Sequence, residues 1–186
     1  VTLLIHDEDE SQDANRTEVA IIEALMTALD EPAEDETGIV TPHNAQKGRL
    51  NEQFRDIATI DTVERFQGGE RDVMMISATA SDPDYVRSEA EFLLNPNRLN
   101  VAMSRMLQKL VIVASESVFQ VTAPDADEFD QTLIWKRLYD ALGVTDNSPA
   151  TTVWDGRLSE FCPDDIVIPA GKEDTSLQIY GLSADE

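Results

Sequence analysis

The sequence predicts an α/β fold, a mostly parallel sheet with helices on both faces, on three observations. Strand-like apolar runs alternate with helix-like stretches over residues 1–143, the order that builds parallel sheets. Two runs, DVMMISATA and KLVIVAS, are apolar almost without interruption, as strands buried on both faces are. With 186 residues, 41% hydrophobic and 27% charged, the chain is long and apolar enough for one domain with a sizeable core.

Taken in order, VTLLI is the first buried strand. ANRTEVAIIEALMTAL carries Val19, Ile22, Leu25, Met26 and Leu29 at the i, i+3, i+4 spacing of an amphipathic helix. Asp30 to Thr37 is an acidic loop, GIVTP a short strand halted by Pro42, and HNAQKGRLNEQF a second helix. IATID and DVMMISATA are the next strands, Asn97 to Met106 is helical, and KLVIVAS is another buried strand. EFDQTLIWKRLYDALG closes the run as a helix ended by Gly143. Residues 144–186 carry Pro149, Pro163 and Pro169 and two strand-like pieces, DIVIPAG and SLQIYGL. They are expected as a C-terminal appendage or partly ordered tail beside a domain of residues 1–143.

The charge is extreme, with 37 acidic against 14 basic residues and a formal net charge of -23. Only four of the basic residues are lysines. Such a surface resembles that of proteins adapted to concentrated salt, where a Debye length of about 3 Å at 1 M screens self-repulsion. A halophilic source is expected. Residues 40–110 nevertheless hold nine of the basic and only ten of the acidic residues. A segment that faces a polyanion needs such an exemption, and a merely solvated surface does not. No apolar run approaches the roughly 20 residues of a membrane span. VTLLIHDEDE is too short and too acidic for a signal peptide. Cys162 stands alone, which excludes a disulfide framework or a cysteine-clustered metal. A cytoplasmic protein without membrane partners is the expectation.

Two stretches carry candidate chemistry. In NPNRLNVAMSRMLQ, Arg98 and Arg105 are seven residues apart and share a face if one helix holds both. Paired guanidinium forks suit phosphate oxygens; salt bridges to the abundant carboxylates would satisfy them equally. In TVERFQGGERDVMMIS, Gly68 and Gly69 permit a tight turn or a close approach, and Glu70 could accept hydroxyl protons from a sugar. A plain turn would need the same glycines. Both TPHNAQ and TVERFQGGE follow strands, and open parallel sheets bind ligands outside the carboxyl ends of their strands.

Taken together and in this order, GIVTPHNAQ, IDTVERFQGGERDVMMIS and NPNRLNVAMSR with LVIVAS resemble motifs IV, V and VI of superfamily 1 helicases. The nearest likeness is to the upframeshift-like branch, which moves 5′ to 3′, and the expected source is a halophilic archaeon. NRTEVAIIEALM is similar to that family's opening helix, so the likeness covers about residues 1–120. The resemblance implies a RecA-like three-layer sandwich, the second of two such domains, closing over ATP bound mainly by the first. Arg105 matches the arginine finger that meets the γ-phosphate, the catalytic role. Glu70 matches the glutamate that contacts the ribose, with Gly68 before it. Gln67 links nucleotide state to the nucleic-acid groove, and Arg98 supports the nucleotide interface. Thr41, Pro42, His43 and Thr62 match positions that border the single strand. The resemblance implies ATP with Mg²⁺ as cofactor. The partners are single-stranded DNA or RNA and the N-terminal RecA-like domain of the same protein.

The sequence also departs from the family. SRMLQK lacks the basic residue that usually follows the motif VI arginine. No G-x-x-x-x-G-K-[ST] phosphate loop and no acidic magnesium motif occur. The phosphate loop and metal ligands are therefore expected from the N-terminal domain of a longer helicase, and this chain alone is expected to be inactive. The rival readings are a non-catalytic RecA-like protein-interaction module and a metal nuclease using HDEDE, His6 to Glu10. No G-x-G-x-x-G follows a strand, which weighs against a nicotinamide dehydrogenase.

Overall fold

The computed structural model describes residues 1–29, 34–66, 69–121, 135–140 and 152–181, with the side chains of residues 98, 99 and 152 outside that description. Seven strands form one sheet: β1 Thr2–His6, β2 Thr37–Thr41, β3 Thr59–Thr62, β4 Arg71–Ser77, β5 Met106–Ser115, β6 Thr152–Arg157 and β7 Ser176–Gly181. Their spatial order is β3-β2-β4-β5-β1-β7-β6. The first five are mutually parallel, and β7 and β6 add an antiparallel edge.

Side-chain alternation along the parallel strands builds two cores, one on each face. Leu3, Ile5, Met74, Ile76, Leu110 and Ile112 enter one core with Ala90, Leu93, Ala102, Val118 and Phe119. These last come from α4 Ala90–Leu93, α5 Pro96–Met103 and α6 Glu116–Gln120, and α3 Pro83–Ser88 adds Val86 to the same core. The intervening Leu4, Met75, Val111 and Val113 enter the other core, under α1 Arg16–Ala28 and α2 Asn44–Phe54. The result is the three-layer sandwich that the strand–helix alternation predicts. Helix α1 buries Ile21 and Ile22 most deeply, whereas Val19, Leu25 and Leu29 are only partly covered, so its buried stripe is rotated from the one read off the sequence.

Three local expectations are corrected. β4 ends at Ser77 rather than Ala80, because Thr79 takes a left-handed conformation with φ 72°. Its amide turns to the Glu18 carboxylate, at 3.0 and 2.9 Å from the two oxygens, instead of to a neighbouring strand. A β-branched residue there is a true backbone outlier. DIVIPAG is not a strand; TVWDGR is, and β7 coincides with SLQIYG. The segment expected as an appendage or tail thus supplies two strands of the domain's own sheet, β7 running along β1 from Thr2↔Gly181 to His6↔Leu177. Of the expected helix EFDQTLIWKRLYDALG, residues 135–140 are described and helical, with Trp135 packed edge-on against Phe119.

Candidate functional site

The predicted residues divide between the two ends of the parallel sheet. At the amino end, β4 and β5 begin side by side, Arg71 opposite Met106. The Arg71 N–H donates to the Arg105 carbonyl at 2.8 Å, which joins the QGGE turn directly to the motif VI arginine. Chain crossing explains this position. The segment that leaves β3 at its carboxyl end passes Phe66 over the start of β2 and enters β4 at the amino end. A Cβ at Gly38 would lie 2.8 Å from Phe66 Cζ and 2.5 Å from Met74 Sδ, so only glycine lets the crossing pack. The expectation that the QGGE loop serves a carboxyl-end site is therefore corrected.

Arg105 is half-buried, in the turn between α5 and β5. The helix stops at Met103, the Ser104 hydroxyl donates to the Val101 carbonyl at 2.9 Å, and the Arg105 N–H donates to Ala102 at 3.2 Å. Arg105 is thus off the helix that holds Arg98, and the shared-face reading of that pair is corrected. Arg105 Nε is buried without a hydrogen-bond partner, as is Arg71 Nε. Among the described residues no carboxylate pairs with Arg105, so the alternative of a structural salt bridge finds no support there. A buried guanidinium nitrogen left unpartnered is costly. It fits a site completed by an anion.

Glu70 is exposed beside it, after Gly69 at φ 35°. Gln67 and Gly68 lie outside the described residues, as does the side chain of Arg98. Sequence reasoning passed over Arg71. Its guanidinium donates from Nη1 to the Glu70 carbonyl at 3.1 Å and from Nη2 to Thr59 Oγ1 at 3.1 Å. Its Cζ stands 6.0 Å from the Phe66 ring centroid. A cleft of about 350 Å³ lined by Glu34, Asp35, Thr59 and Arg71 opens on its other side.

At the carboxyl end a buried polar network pairs most of the polar groups, with His6 Nδ1 left without a partner. Glu18 is fully buried, yet it is held by the two Thr79 N–H contacts, by the Ser77 hydroxyl and by His6 Nε2 at 3.4 Å. Asn15 caps α1 by accepting from Glu18 N–H and donates to Glu8 at 2.9 Å and to the Thr79 carbonyl at 3.1 Å. Burial would raise the Glu8 carboxyl, but hydrogen bonds from Ser81 and the Glu10 amide, with the charges of His6 and Lys172, hold it below its ordinary value. Carboxylates at turn positions do not reveal such a network in sequence; the one available signal was Glu18 in phase with Ile22 and Leu25 on the apolar stripe.

Of the residues expected to border a single strand, Thr41 is fully buried with its hydroxyl 2.7 Å from that of Thr79, and Thr62 is buried as well. The hydroxyls of these two are enclosed, so what their regions expose lies in neighbouring residues. Pro42 and His43 form the half-buried surface above them, the His43 ring 6.0 Å from Tyr85 and 5.5 Å from Phe92. HDEDE is absorbed into structure: His6 and Glu8 are buried and Lys172 pairs with Glu8 and Glu10. Among the described residues no group of three His, Cys, Asp or Glu side chains is placed to hold a metal. Cys162 is buried and its thiol is pushed by that burial, then by Glu23, up to about 11.

Known proteins share this frame. A family model described as an AAA domain matches residues 5–117. DNA polymerase alpha-associated DNA helicase A of Saccharomyces cerevisiae is 34% identical over 113 residues, 57% of this chain and 16% of the yeast protein. Probable RNA helicase armi of Drosophila melanogaster is 34% identical over 111 residues, 55% of this chain and 9% of the fly protein. A regulator of nonsense transcripts 1 homolog of Arabidopsis thaliana is 31% identical over 116 residues, 56% of this chain and 9% of the plant protein. The chain therefore spans less than a fifth of the length of these relatives. Because the family match runs from β1 to α6 and includes both the QGGE turn and Arg105, the chain belongs to this AAA domain family, the family of the superfamily 1 helicase domain that its motifs resemble.

Proposed function

We propose that this chain is the second RecA-like half of an ATP-dependent superfamily 1 helicase acting on single-stranded DNA or RNA. The observation that carries the reading is the 2.8 Å hydrogen bond between Arg71 N–H and the Arg105 carbonyl, beside two buried guanidinium nitrogens without partners. It supports a single nucleotide-facing edge on which Arg105 and Glu70 act together. ATP supplies the phosphoanhydride whose cleavage drives the cycle. Arg105 neutralises charge that develops on the transferring phosphoryl group, an effect worth about 10³–10⁵ in rate in related enzymes. Glu70 accepts hydroxyl protons of the ribose, and Gln67, Gly68 and Arg98 complete the edge. The described residues hold no ligand set for magnesium, so no step is assigned to the metal here; its ligands and the phosphate loop belong to an N-terminal RecA-like domain.

Pro42 and His43 border the single strand at the opposite end of the sheet, with Thr41 beneath them. Nucleotide and strand then meet opposite ends of β2 and β4, and closure on one end is transmitted to the other along the strands. The near-neutral segment 40–110 supports a polyanion-facing role, and the acid-rich remainder supports a halophilic, cytoplasmic setting. The test is Arg105→Ala in the helicase that carries this chain. Turnover collapses while ATP binding largely survives, and the 186-residue chain alone turns over no ATP. Full turnover by the variant would place the chain among non-catalytic interaction modules.

A further inference from the structure

We propose that Arg71 is a positioning residue, one that locks the ribose-facing turn and the finger arginine into a unit; the inference rests on the nucleotide-edge reading above. Arg71 touches both halves of that edge. Its backbone N–H holds the Arg105 carbonyl at 2.8 Å, and its side chain holds the Glu70 carbonyl at 3.1 Å. The second arm of the fork reaches past the start of β2 to Thr59 Oγ1 at 3.1 Å on β3, and the Thr59 hydroxyl in turn donates to the Glu34 carbonyl at 2.9 Å. The guanidinium is thereby tied to a strand two places away in the sheet, a fixed point for an otherwise exposed turn.

The turn is built around this side chain. A Cβ at Gly69 would stand 2.9 Å from Arg71 Nη1, so the glycine makes room for the guanidinium as well as for its own positive φ. The guanidinium carbon stands 6.0 Å from the ring centroid of Phe66, the residue whose crossing brings the segment to the amino end. A planar fork can bridge two acceptors on different strands, which a lysine ammonium on a flexible stem does not reproduce. The geometry separates Arg71 from a phosphate ligand. Both terminal nitrogens, though not Nε, are engaged within the chain, and the cleft that Arg71 lines is shared with Glu34 and Asp35, which repel an anion. Neither arginine has a carboxylate partner among the described residues, but the Arg105 side chain, in contrast to that of Arg71, makes no hydrogen bond there either. One arginine is free for the nucleotide and the other is used to aim it.

The test compares Arg71→Lys, Thr59→Val and Arg105→Ala in the helicase that carries this chain, with ATP and 2′,3′-dideoxyATP as substrates and thermal unfolding as a control. Thr59→Val removes the far anchor of the fork, together with the Thr59–Glu34 bond, leaves Arg71 itself in place, and keeps the argument testable if Arg71→Lys fails to fold. Loss of positioning lowers kcat/KM for ATP, by up to about 100-fold for a displacement near 1 Å. It also narrows the preference for ATP over the dideoxy substrate, because the Glu70 carboxylate no longer sits where the ribose hydroxyls arrive. A merely structural role would shift the unfolding midpoint and leave that preference as it was. If Arg71→Lys and Thr59→Val both keep wild-type turnover and sugar preference while Arg105→Ala is inactive, Arg71 has no positioning role and the nucleotide edge stands. If Arg105→Ala keeps full turnover, the edge reading fails and the inference falls with it.

Discussion

The two ends of the parallel sheet treat their polar groups in opposite ways. At the carboxyl ends of β1, β2 and β4, Glu18, Thr79, Ser77, Asn15, Gln46 and Thr41 bond to one another and are buried. At the amino ends of β4 and β5, Arg71 and Arg105 each keep a buried nitrogen without a partner, and Glu70 is exposed. Desolvated donors are stabilising only when paired. The first end is therefore paired largely by folding, with His6 Nδ1 the buried exception, whereas at the second the Arg105 side chain makes no bond among the described residues, as the proposed nucleotide edge requires. A single unsatisfied nitrogen does not mark a site; an unengaged guanidinium fork beside an exposed carboxylate supports one.

The largest effect that could break this comparison is at the open end. Arg105→Lys keeps a charge but loses the fork, and ATP turnover in the carrying helicase falls by about 10³-fold or more, with the thermal midpoint unchanged. A large loss of stability instead would put Arg105 among the structural groups. At the closed end the order reverses. Glu18→Ala strands the Thr79 amide, the Ser77 hydroxyl and His6, a loss of about 3–5 kcal/mol in urea unfolding that precedes any change in activity.

Smaller changes sharpen the contrast. Gly38→Ala forces Met74 and Phe66 aside and costs about 1–3 kcal/mol, and it loosens the crossing that delivers Glu70 to its edge; unfolding and nucleotide affinity should fall together. Smallest is an effect of pH. The Glu8 carboxyl is held below its ordinary value of 4.5, so its contribution is present above that pH and fades as pH drops through the lower, folded value. Glu8→Gln removes this dependence, seen as a stability curve that is flatter on the acid side of pH 4.5 and lower near neutrality, where the carboxylate's contribution is fully present.

The parallel layers were legible because alternation and apolar runs record burial directly: Met74, Met75 and Ile76 enter opposite cores in turn. Of the antiparallel edge only β7 was legible as strand-like; β6 contains Gly156, keeps Val153 exposed and fully buries none of its described residues, so no apolar run marks it. The residues of the nucleotide edge were named from motif order, but not their end of the sheet. That depends on a crossing past Gly38 that spacing along the chain does not encode. The burial of Thr41 and Thr62 was not legible for the related reason that a hydroxyl at a strand end looks the same in sequence whether it is exposed or, as for Thr41 against Thr79, enclosed. Arg71 was hidden by its place as the first residue of an apolar strand.

Amide hydrogen exchange in the helicase that carries this chain, with and without a non-hydrolysable ATP analogue, tests the central claim most directly. The account predicts that the analogue slows exchange at residues 69–71 and 105–106, along the proposed nucleotide edge, and leaves residues 77–81 as they were. Protection confined to residues 77–81, with the amino ends of β4 and β5 unchanged, would contradict it.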